Sequence, residues 1–480
     1  MEKKFDVLII GGGPAGLSIG ALLAEEGVSS TIFERGAVLG GRYRSVNYHG
    51  CRLDSGIHLG FGFVPSVEET NIHRFLSHFG MPSEYKVIDW TLGLVSENKP
   101  QKIEFLKMDQ KLGVGNFFQF FAFAAGVPLE NATKRALNNA FKIMEDMSEE
   151  ECRRSVSMPW SSWIDKNIED PLAKTVLNVS AILMGARATD VNFGAFANVF
   201  GAFPRVGGLL PWYPKRGIWE DVLIAPLAKY ITNHGGQIFT NKTAKEILIE
   251  KGKARGVVVV DNETLFLEEY RAPIVICAMP IFEAVARNIL REQFLTKDWA
   301  KAIRRLAKLT HNDLTGHYLL REEIIPKKMP GWVHVWDADY GIPTYVGDWG
   351  LGSTINATHP RGKQLVCSYV PGTLEATPFG LTSPIEKVWE ANTRWKKSMD
   401  KVFPGFIESI EFEGLNLQLN WGTYAWAAVP TEIDLQSPNI RGLYFAGDSV
   451  WSIGGMASDK VFQMAFPLQE RILEYIRSGT

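Results

Sequence analysis

Residues 5–16 read Phe5-Asp6-Val7-Leu8-Ile9-Ile10-Gly11-Gly12-Gly13-Pro14-Ala15-Gly16, and this stretch decides the fold. Phe5 to Ile10 is a short apolar run without regular polar alternation, which is typical of a parallel strand covered on both faces. Pro14 to Gly27 then predicts a helix that ends at Gly27, and Ser30 to Glu34 predicts a second strand. Together these segments predict a βαβ unit.

The glycines of this stretch have the spacing of a dinucleotide-binding loop. Gly11 permits the tight turn, Gly13 lets a diphosphate approach the backbone, and Gly16 allows the helix to pack closely on the strand. Pro14 and Ala15 open the helix, whose first turn carries a partial positive charge that favours an anion. The loop predicts a bound dinucleotide; a glycine-rich turn without a ligand is the alternative.

Three further segments predict contacts with the same ligand. Glu34 ends the second strand, where its carboxylate can accept hydrogen bonds from a ribose diol that carries no 2'-phosphate. In Gly40-Gly41-Arg42, two small residues let the backbone approach and the guanidinium can neutralise a diphosphate. Asp448 follows a predicted strand, Gly442 to Ala446, and can bind the ribityl chain of a flavin. The alternatives are a surface turn with a solvated arginine and a strand-turn-helix that only closes the fold.

Composition bounds the function classes. The chain has 480 residues, 46% of them hydrophobic and 22% charged, as expected for a folded enzyme with two domains. Its formal net charge of -2 provides no overall field for nucleic acid or an anionic membrane. The four cysteines are far apart, which argues against a zinc site or a dithiol centre, so we expect no metal. No secretory signal is visible, and we expect a cytoplasmic location.

The rest of the chain alternates between helical and strand-like patterns. Glu68 to Phe203 predicts a mostly helical insertion, and Ile281 to about Leu319 a second helical region. Ile218 to His234 predicts a helix, and the segment from Gly331 to Tyr369 predicts the sheet of a second domain. Further predicted elements are the strands Gln237 to Phe239, Ala244 to Glu250, Ala254 to Val260 and Ile274 to Ala278, and the helix Ser383 to Val402.

These motifs, in their order, resemble those of the flavin-containing amine oxidase and phytoene desaturase superfamily. The segments that carry the resemblance are Gly11-x-Gly13-x-x-Gly16, Glu34-Arg35, Gly40-Gly41-Arg42 and Ala446-Gly447-Asp448. Two less specific matches resemble segments of zeta-carotene-desaturase-like and protoporphyrinogen-oxidase-like members: Asp54-Ser55-Gly56-Ile57-His58-x-Gly60 and Trp426-Ala427-x-x-Pro430. The order and spacing of the motifs cover the whole chain.

The resemblance implies an α/β fold with a discontinuous Rossmann-type FAD-binding domain, residues 1–75, 205–290 and 425–480, and a second α+β substrate domain, residues 76–204 and 291–424. It implies non-covalent FAD, because glycine and methionine stand where members with covalent flavin place a cysteine. No second dinucleotide loop is present, so electrons would leave for oxygen, a quinone or another carrier. The implied cofactor-binding residues are Gly11, Gly13, Pro14, Ala15, Gly16, Glu34, Arg35, Gly41, Arg42, Ala244, Gly447, Asp448, Gly455, Met456 and Ala457.

Candidate catalytic and substrate-binding residues rest on weaker patterns. The resemblance places Trp421, Tyr424, Trp426 and Trp451 near the flavin face, although aromatic residues are as often ordinary core. His58 could adjust proton chemistry, although a hydrogen-bonded structural histidine is more common. The phenylalanine-rich residues 117–125 are core or a lipid-facing entrance. The catalytic candidates are Tyr424, Trp426 and His58.

The leading hypothesis is an FAD-dependent oxidoreductase that oxidises or desaturates an apolar, isoprenoid-like small molecule by hydride transfer to flavin N5. Three alternatives stay open: a flavin amine oxidase, a redox-neutral flavin isomerase, and a binding protein that resembles a GDP-dissociation inhibitor and uses no flavin chemistry. Intact Glu34, Arg42 and Asp448 argue against the binding protein. We expect no nucleic-acid partner, and peripheral membrane contact stays open.

Overall fold

The computed structural model describes most of the chain. The described residues are 5–62, 64, 66–81, 84–88, 91–98, 102–107, 129–180, 188–189, 191–201, 210–307, 310–337, 339, 344–350, 359–370, 376–377, 380–381, 384–423, 433–450 and 457–479.

A parallel five-stranded sheet forms the centre of the largest core. Its strands, in spatial order, are β10 (Gln237–Phe239), β2 (Ser30–Phe33), β1 (Val7–Ile10), β14 (Ile274–Cys277) and β22 (Leu443–Phe445). Every neighbouring pair is parallel. The four strands from β2 to β22 are buried along their whole length, which explains why they read as apolar runs rather than as alternating patterns.

Helices cover this sheet. They are α1 (Pro14–Glu25), α2 (Asn71–His78), α8 (Ala225–Asn233), α9 (Ile281–Ala286), α10 (Lys297–Ala307) and α13 (Ala457–Arg477). Helix α1 packs against both α8 and α13, so the N-terminal βαβ unit is closed by the last helix of the chain. A π-helical turn, Glu220–Ile224, precedes α8. The predicted βαβ unit is thus confirmed.

An antiparallel sheet stands beside the parallel one. It consists of β11 (Lys242–Glu250), β12 (Lys253–Asp261) and β13 (Leu267–Arg271). The backbone N–H groups of Asn241 and Lys242 donate to the carbonyls of Gly36 and Glu34, at 3.0 and 2.9 Å. These bonds fasten the start of β11 to the end of β2. The sequence pattern found the first two strands but not β13.

A mixed seven-stranded sheet forms a second core. Its strands, in spatial order, are β21 (Ile410–Thr423), β15 (Thr310–Leu320), β18 (Gln364–Val370), β17 (Thr344–Gly350), β16 (Trp332–Asp337), β7 (Thr91–Val95) and β8 (Ile103–Lys107). Strands β16 and β7 are parallel, and the other neighbours are antiparallel. Helix α11 (Ile385–Val402) packs on this sheet, followed by α12 (Phe406–Ser409).

Two sequence-based expectations are corrected here. Ile281 to Leu319 is not helical throughout, because the helices end at Ala307 and β15 occupies the remainder. Residues 314–320 of β15 are all buried, so the strand shows no alternation, and periodicity alone cannot separate a buried strand from a buried helix. The insertion after Glu68 is likewise not all helical, because it contributes β7 and β8 to the seven-stranded sheet.

Helices dominate the remainder of that insertion. They are α3 (Asn131–Asp146), α4 (Glu149–Arg154), α5 (Trp160–Asn167), α6 (Pro171–Ser180) and α7 (Phe193–Phe200). Trp160, Trp163, Phe193 and Phe196 stack on one another in a separate apolar core. The phenylalanine-rich residues 117–125 lie outside the described residues. The division of the chain into an FAD-binding and a substrate domain stays a prediction.

The shorter strands of the described chain form three small sheets of their own. They are β3 (Ser45–Tyr48) with β4 (Cys51–Asp54), β5 (Gly60–Gly62) with β9 (Leu210–Pro214) and β6 (Tyr85–Val87), and β19 (Ala376–Thr377) with β20 (Gly380–Leu381). Single turns of 3-10 helix lie at Gly41–Tyr43, Val67–Glu69 and Glu292–Phe294. Within the described part of the chain, every helix is too short or too polar to cross a lipid bilayer.

Candidate cofactor site

The glycine-rich loop lies between β1 and α1 and is fastened by Glu34. The two carboxylate oxygens of Glu34 accept hydrogen bonds from the backbone N–H groups of Gly12 and Gly36, at 2.8 and 2.7 Å. Gly11 has a φ of +113° and donates its N–H to the carbonyl of Phe33. Glu34 therefore shapes the loop, and each of its carboxylate oxygens keeps a further lone pair with which a ribose hydroxyl could bond.

The three motif glycines do not serve the same purpose. A Cβ on Gly16 would lie 2.0 Å from the carbonyl oxygen of Gly11, and the positive φ of Gly11 disfavours any side chain there, so the fold itself requires both glycines. Gly13 has an ordinary extended backbone with a φ of -82°, and the nearest atom to a Cβ there is the Cα of Gly41, at 3.8 Å. No atom of the described protein requires glycine at position 13. A diphosphate that approached the backbone closely would require it.

The first turn of α1 is open to an anion. Gly13 is its N-cap, no side chain caps the helix, and the first turn holds no acidic residue. Its backbone N–H groups can therefore satisfy a bound phosphate, and the helix dipole favours the negative charge. The residues present fit the diphosphate of a dinucleotide.

Arg42 and Asp448 meet beside this helix end. They are 406 residues apart in sequence, and the guanidinium donates to both carboxylate oxygens, at 2.7 and 3.0 Å. Burial raises the pKa of the Asp448 carboxyl, but the charge and hydrogen bonds of Arg42 outweigh it and hold the pKa below its ordinary value. The turn before Asp448 places Gly447, with a φ of +120°, against α1, because a Cβ there would lie 4.0 Å from the Cβ of Ala15.

Other predicted cofactor residues are placed around this centre. The Arg35 side chain is 60% exposed and pairs with the buried Glu283 at 2.9 Å. Ala244 is buried in β11, two residues beyond the hydrogen bond from Lys242 to Glu34. The contacts predicted for Arg35 and Ala244 stay predictions, as does that of Ala457, which starts α13.

Several candidates lie outside the described residues. These are Tyr424, Trp426, Trp451, Gly455 and Met456. Trp421 belongs to β21 by its backbone. Of the three catalytic candidates, only His58 can be placed.

His58 lies on a segment whose backbone is hydrogen-bonded to Arg42. The N–H of Ile57 donates to the carbonyl of Arg42 at 3.0 Å, and the ring of His58 stands edge to face with the ring of His317, with centroids 5.2 Å apart. The Nε2 atom of His58 is buried and has no hydrogen-bond partner among the described residues. An orphaned polar atom in this position is unusual and is consistent with a ligand contact.

His317 holds a single tautomer. Its Nε2 lies 3.1 Å from the carbonyl of Asp54, which only accepts, so Nε2 carries the proton. Burial lowers the pKa of His317 to about 4, so the ring is neutral at ordinary pH and its Nδ1 accepts from the hydroxyl of Tyr48 at 2.9 Å. Burial, and then the nearby His317, also lower the pKa of His58 well below its usual range. Both rings are neutral in the folded protein.

Sequence reasoning missed two residues of this region. His317 was overlooked because its segment reads as helix, whereas in β15 it faces Asp54. Lys460 lies in the first turn of α13 and is buried, with its Nζ 2.9 Å from the carbonyl of Asp448. A lysine between a glycine-rich segment and the apolar pair Val461-Phe462 was the available signal.

The fold and the loop are those of a Rossmann-type domain. The family model described as NAD(P)-binding Rossmann-like domain matches residues 9–79. Two curated relatives match about half of the chain. One is 4,4'-diapophytoene desaturase (4,4'-diapolycopene-forming) of Methylomonas sp, 24% identical over 54% of this chain and 51% of its own length. The other is the chloroplastic/chromoplastic zeta-carotene desaturase of Arabidopsis thaliana, 26% identical over 52% of this chain and 45% of its own. The chain thus spans about half the length of these relatives.

Solved structures match over nearly the whole chain. An oxidoreductase from Methanosarcina mazei has a TM-score of 0.67 at 18% identity, with 97% of this chain and 100% of that one covered. Cyclohexylamine oxidase from Brevibacterium oxydans has a TM-score of 0.58 at 15% identity, with 98% and 100% covered. At these identities the likeness to the two structures shows a shared fold.

Replacing Gly13 and Gly16 separately tests which glycine serves the ligand. In Gly13→Ala the new methyl group meets only ordinary contacts, so we expect the free energy of unfolding to fall by no more than about 1 kcal/mol, the usual cost of alanine at an N-cap. FAD retention should fall at least ~10-fold, because the methyl group occupies the space of the diphosphate. Denaturant unfolding and the flavin content of the purified chain measure the two effects.

Gly16→Ala is the matched comparison. Its methyl group would overlap the Gly11 carbonyl, so we expect a large loss of stability, beyond that of Gly13→Ala. If Gly13→Ala kept full flavin, or if it unfolded as readily as Gly16→Ala, the separate purpose of Gly13 would be refuted.

Protonation of His317 should weaken the fold in acid. Because its folded pKa of about 4 lies below the unfolded value near 6.5, the unfolded chain binds more protons between these values, and stability falls as the pH drops from about 6.5 towards 4. In His317→Gln, the loss of unfolding free energy between pH 7 and pH 5 should be smaller than in the unsubstituted chain by about 2 kcal/mol. Urea unfolding at both pH values measures this difference; equal losses in the two proteins would contradict the assignment.

Proposed function

We propose that this protein is an FAD-dependent oxidoreductase that binds FAD non-covalently. The observation that carries the proposal is the meeting of Arg42 and Asp448 beside an uncapped helix N-terminus. A binding protein that holds no nucleotide would need neither a glycine at position 13 nor an arginine beside the N-terminus of α1. Bound FAD would supply the chemistry, because its flavin ring accepts a hydride at N5.

The described residues of the candidate site would each hold a different part of the cofactor. Gly13 leaves room for the diphosphate, and the first turn of α1 neutralises part of its charge. Glu34 fixes the loop and presents lone pairs to the adenosine ribose. Arg42 and Asp448 offer a donor and an acceptor to the diphosphate and the ribityl chain. Their mutual ion pair orients both side chains before the cofactor arrives, which lowers the ordering cost of binding.

We further propose that the substrate is an apolar, isoprenoid-like molecule. The two curated relatives are named for diapophytoene and zeta-carotene, which are polyenes, whereas the amine oxidases resemble this chain in fold. A polyene carries no charge, so its site needs no carboxylate to bind it. Its desaturation would transfer one hydride to the flavin and release one proton from the neighbouring carbon to solvent. The buried ring of His58 lies beside Trp332 and is neutral. It fits such an environment because it adds no charge to an apolar site.

The catalytic assignments remain part of this proposal. His58 would contact the substrate or the flavin through its unpaired Nε2 as a neutral hydrogen-bonding group. Tyr424 and Trp426 are proposed as walls that hold a substrate C–H bond over the flavin and exclude water. The electron acceptor is proposed to be oxygen, a quinone or another carrier.

Anaerobic mixing of the flavin-containing protein with candidate substrates tests the substrate class. We expect 4,4'-diapophytoene or zeta-carotene in detergent micelles to bleach the visible flavin band, because each can lose a hydride to the flavin and a proton to solvent, which leaves a longer conjugated system. Putrescine and cyclohexylamine should leave the band unchanged. Stopped-flow absorbance measures the bleaching, and free FAD with the same micelles is the control.

The outcomes separate the candidate functions. Bleaching by an amine, with release of hydrogen peroxide in air, would replace the desaturase proposal with an amine oxidase. Conversion of a polyene to an isomer by protein with pre-reduced flavin, without net bleaching, would indicate a redox-neutral isomerase.

A further inference from the structure

Lys460 is a buried cation that the proposed cofactor contacts leave unused. Its side chain lies in the first turn of α13, and the residue is only 3% exposed. Lysine is almost never buried to this extent unless it is paired. Its ammonium group has three donors, and among the described residues one acceptor is recorded, the carbonyl oxygen of Asp448 at 2.9 Å.

The carboxylates near Lys460 are already engaged. Asp448 is bound by both nitrogens of Arg42, so these two charges cancel. Asp459 is turned towards α2, where it accepts from the side chain of Asn71 at 2.7 Å and from the N–H of Ile72 at 3.1 Å. Lys460 therefore acts on the same carboxylate as Arg42, and among the described residues of this cluster two cations share Asp448.

Among the described residues, the other elements packed against α13 do not supply a counter-charge to Lys460. On α2, Arg74 acts on Asp459, and His78 at the far end pairs with Glu25 at 2.8 Å. Glu25 is the acidic residue of α1 and lies at its C-terminal end. Strand β5 contains only glycine and phenylalanine. Burial lowers the pKa of Lys460 to about 7 even though Asp448 raises it, so a bound anion nearby would favour the charged form of Lys460.

Lys460, Asp448 and Arg42 lie close to the glycine-rich loop between β1 and α1. Lys460 bonds to the backbone of Asp448, and the preceding Gly447 lies against Ala15 in the open first turn of α1. Arg42, on the other side of Asp448, follows Gly41, the residue that faces Gly13. Lys460 and Arg42 thus both bond to Asp448, and the residues beside Asp448 and Arg42, Gly447 and Gly41, lie against the start of α1 and its N-cap.

We propose that Lys460 binds the diphosphate of FAD and supplies the positive charge that the Arg42–Asp448 pair lacks. This inference rests on the proposed FAD-binding function. Lys460 acts as a cofactor-binding residue, and its ammonium donates to a phosphate oxygen while it keeps its bond to the Asp448 carbonyl. Bound diphosphate holds Lys460 protonated.

The substitution Lys460→Met tests this role with a side chain of similar length and no charge. The probes are FAD and ADP-ribose, which carries the same diphosphate without the flavin, added to the full-length chain stripped of cofactor. We expect both to bind Lys460→Met at least ~10-fold more weakly by calorimetry, as expected for the loss of a charge-assisted hydrogen bond. The melting temperature of the cofactor-free variant should be unchanged or higher, because an uncompensated buried charge has been removed.

A matched control and a pH series complete the test. Lys396→Met removes a partly buried lysine that pairs with Glu413 on the second sheet, and it should leave both affinities unchanged. In the unsubstituted chain, ADP-ribose affinity should fall by up to ~10-fold per unit as the pH rises above about 7, because binding then requires uptake of a proton by Lys460. In Lys460→Met this dependence should disappear.

The outcomes distinguish this inference from the proposed function. If the unsubstituted chain binds FAD but Lys460→Met binds ADP-ribose equally well, Lys460 is not a diphosphate ligand and the function proposal stands. If affinity and melting temperature fall together, Lys460 is structural and the inference is overturned. If the unsubstituted chain binds neither probe, both proposals fail.

Discussion

The ion pair between Arg42 and Asp448 is the constraint on which the site depends. A buried carboxylate without a partner costs several kcal/mol, so the turn at Asp448 is stable only where the guanidinium of Arg42 meets it. That requirement brings the segment after the last parallel strand against the loop after the first one. The open first turn of α1, the glycine loop, Glu34 and Lys460 all lie around this single contact. The candidate cofactor site therefore depends on the contact between the loop after β1 and the segment after β22.

Most of this centre could be predicted from the sequence, because it depends on local rules. The turn at Gly11, the buried parallel strands and the helix after Pro14 each leave a clear signature within a few residues. The role of Gly13 could also be inferred, but only the structure separates it from Gly16, since that distinction depends on which atoms would meet a Cβ. The pairing of Arg42 with Asp448 could not be read from the pattern, which assigned the two side chains to different parts of the ligand.

The parts that sequence reasoning missed are those that depend on distant contacts. Residues 314–320 of β15 are buried on both faces, by α11 on one side and by β3 and β4 on the other, so this part of the strand carries no periodicity. His317 was therefore hidden within a segment that reads as helix. The neutrality of His317 and His58 arises from burial between elements far apart in sequence. Lys460 looks like an ordinary surface lysine until the carbonyl of Asp448 and the absence of a free carboxylate nearby, among the described residues, are seen together.

The most direct test of the account is the absorption spectrum of the purified chain before and after acid precipitation. We expect a yellow protein that releases about one FAD per chain into the supernatant and leaves no flavin in the pellet, because the cofactor is held by hydrogen bonds and charge alone. Flavin that stays with the pellet would contradict non-covalent binding. A colourless chain that takes up no added FAD would contradict the cofactor site itself and would favour a binding protein that uses no flavin chemistry.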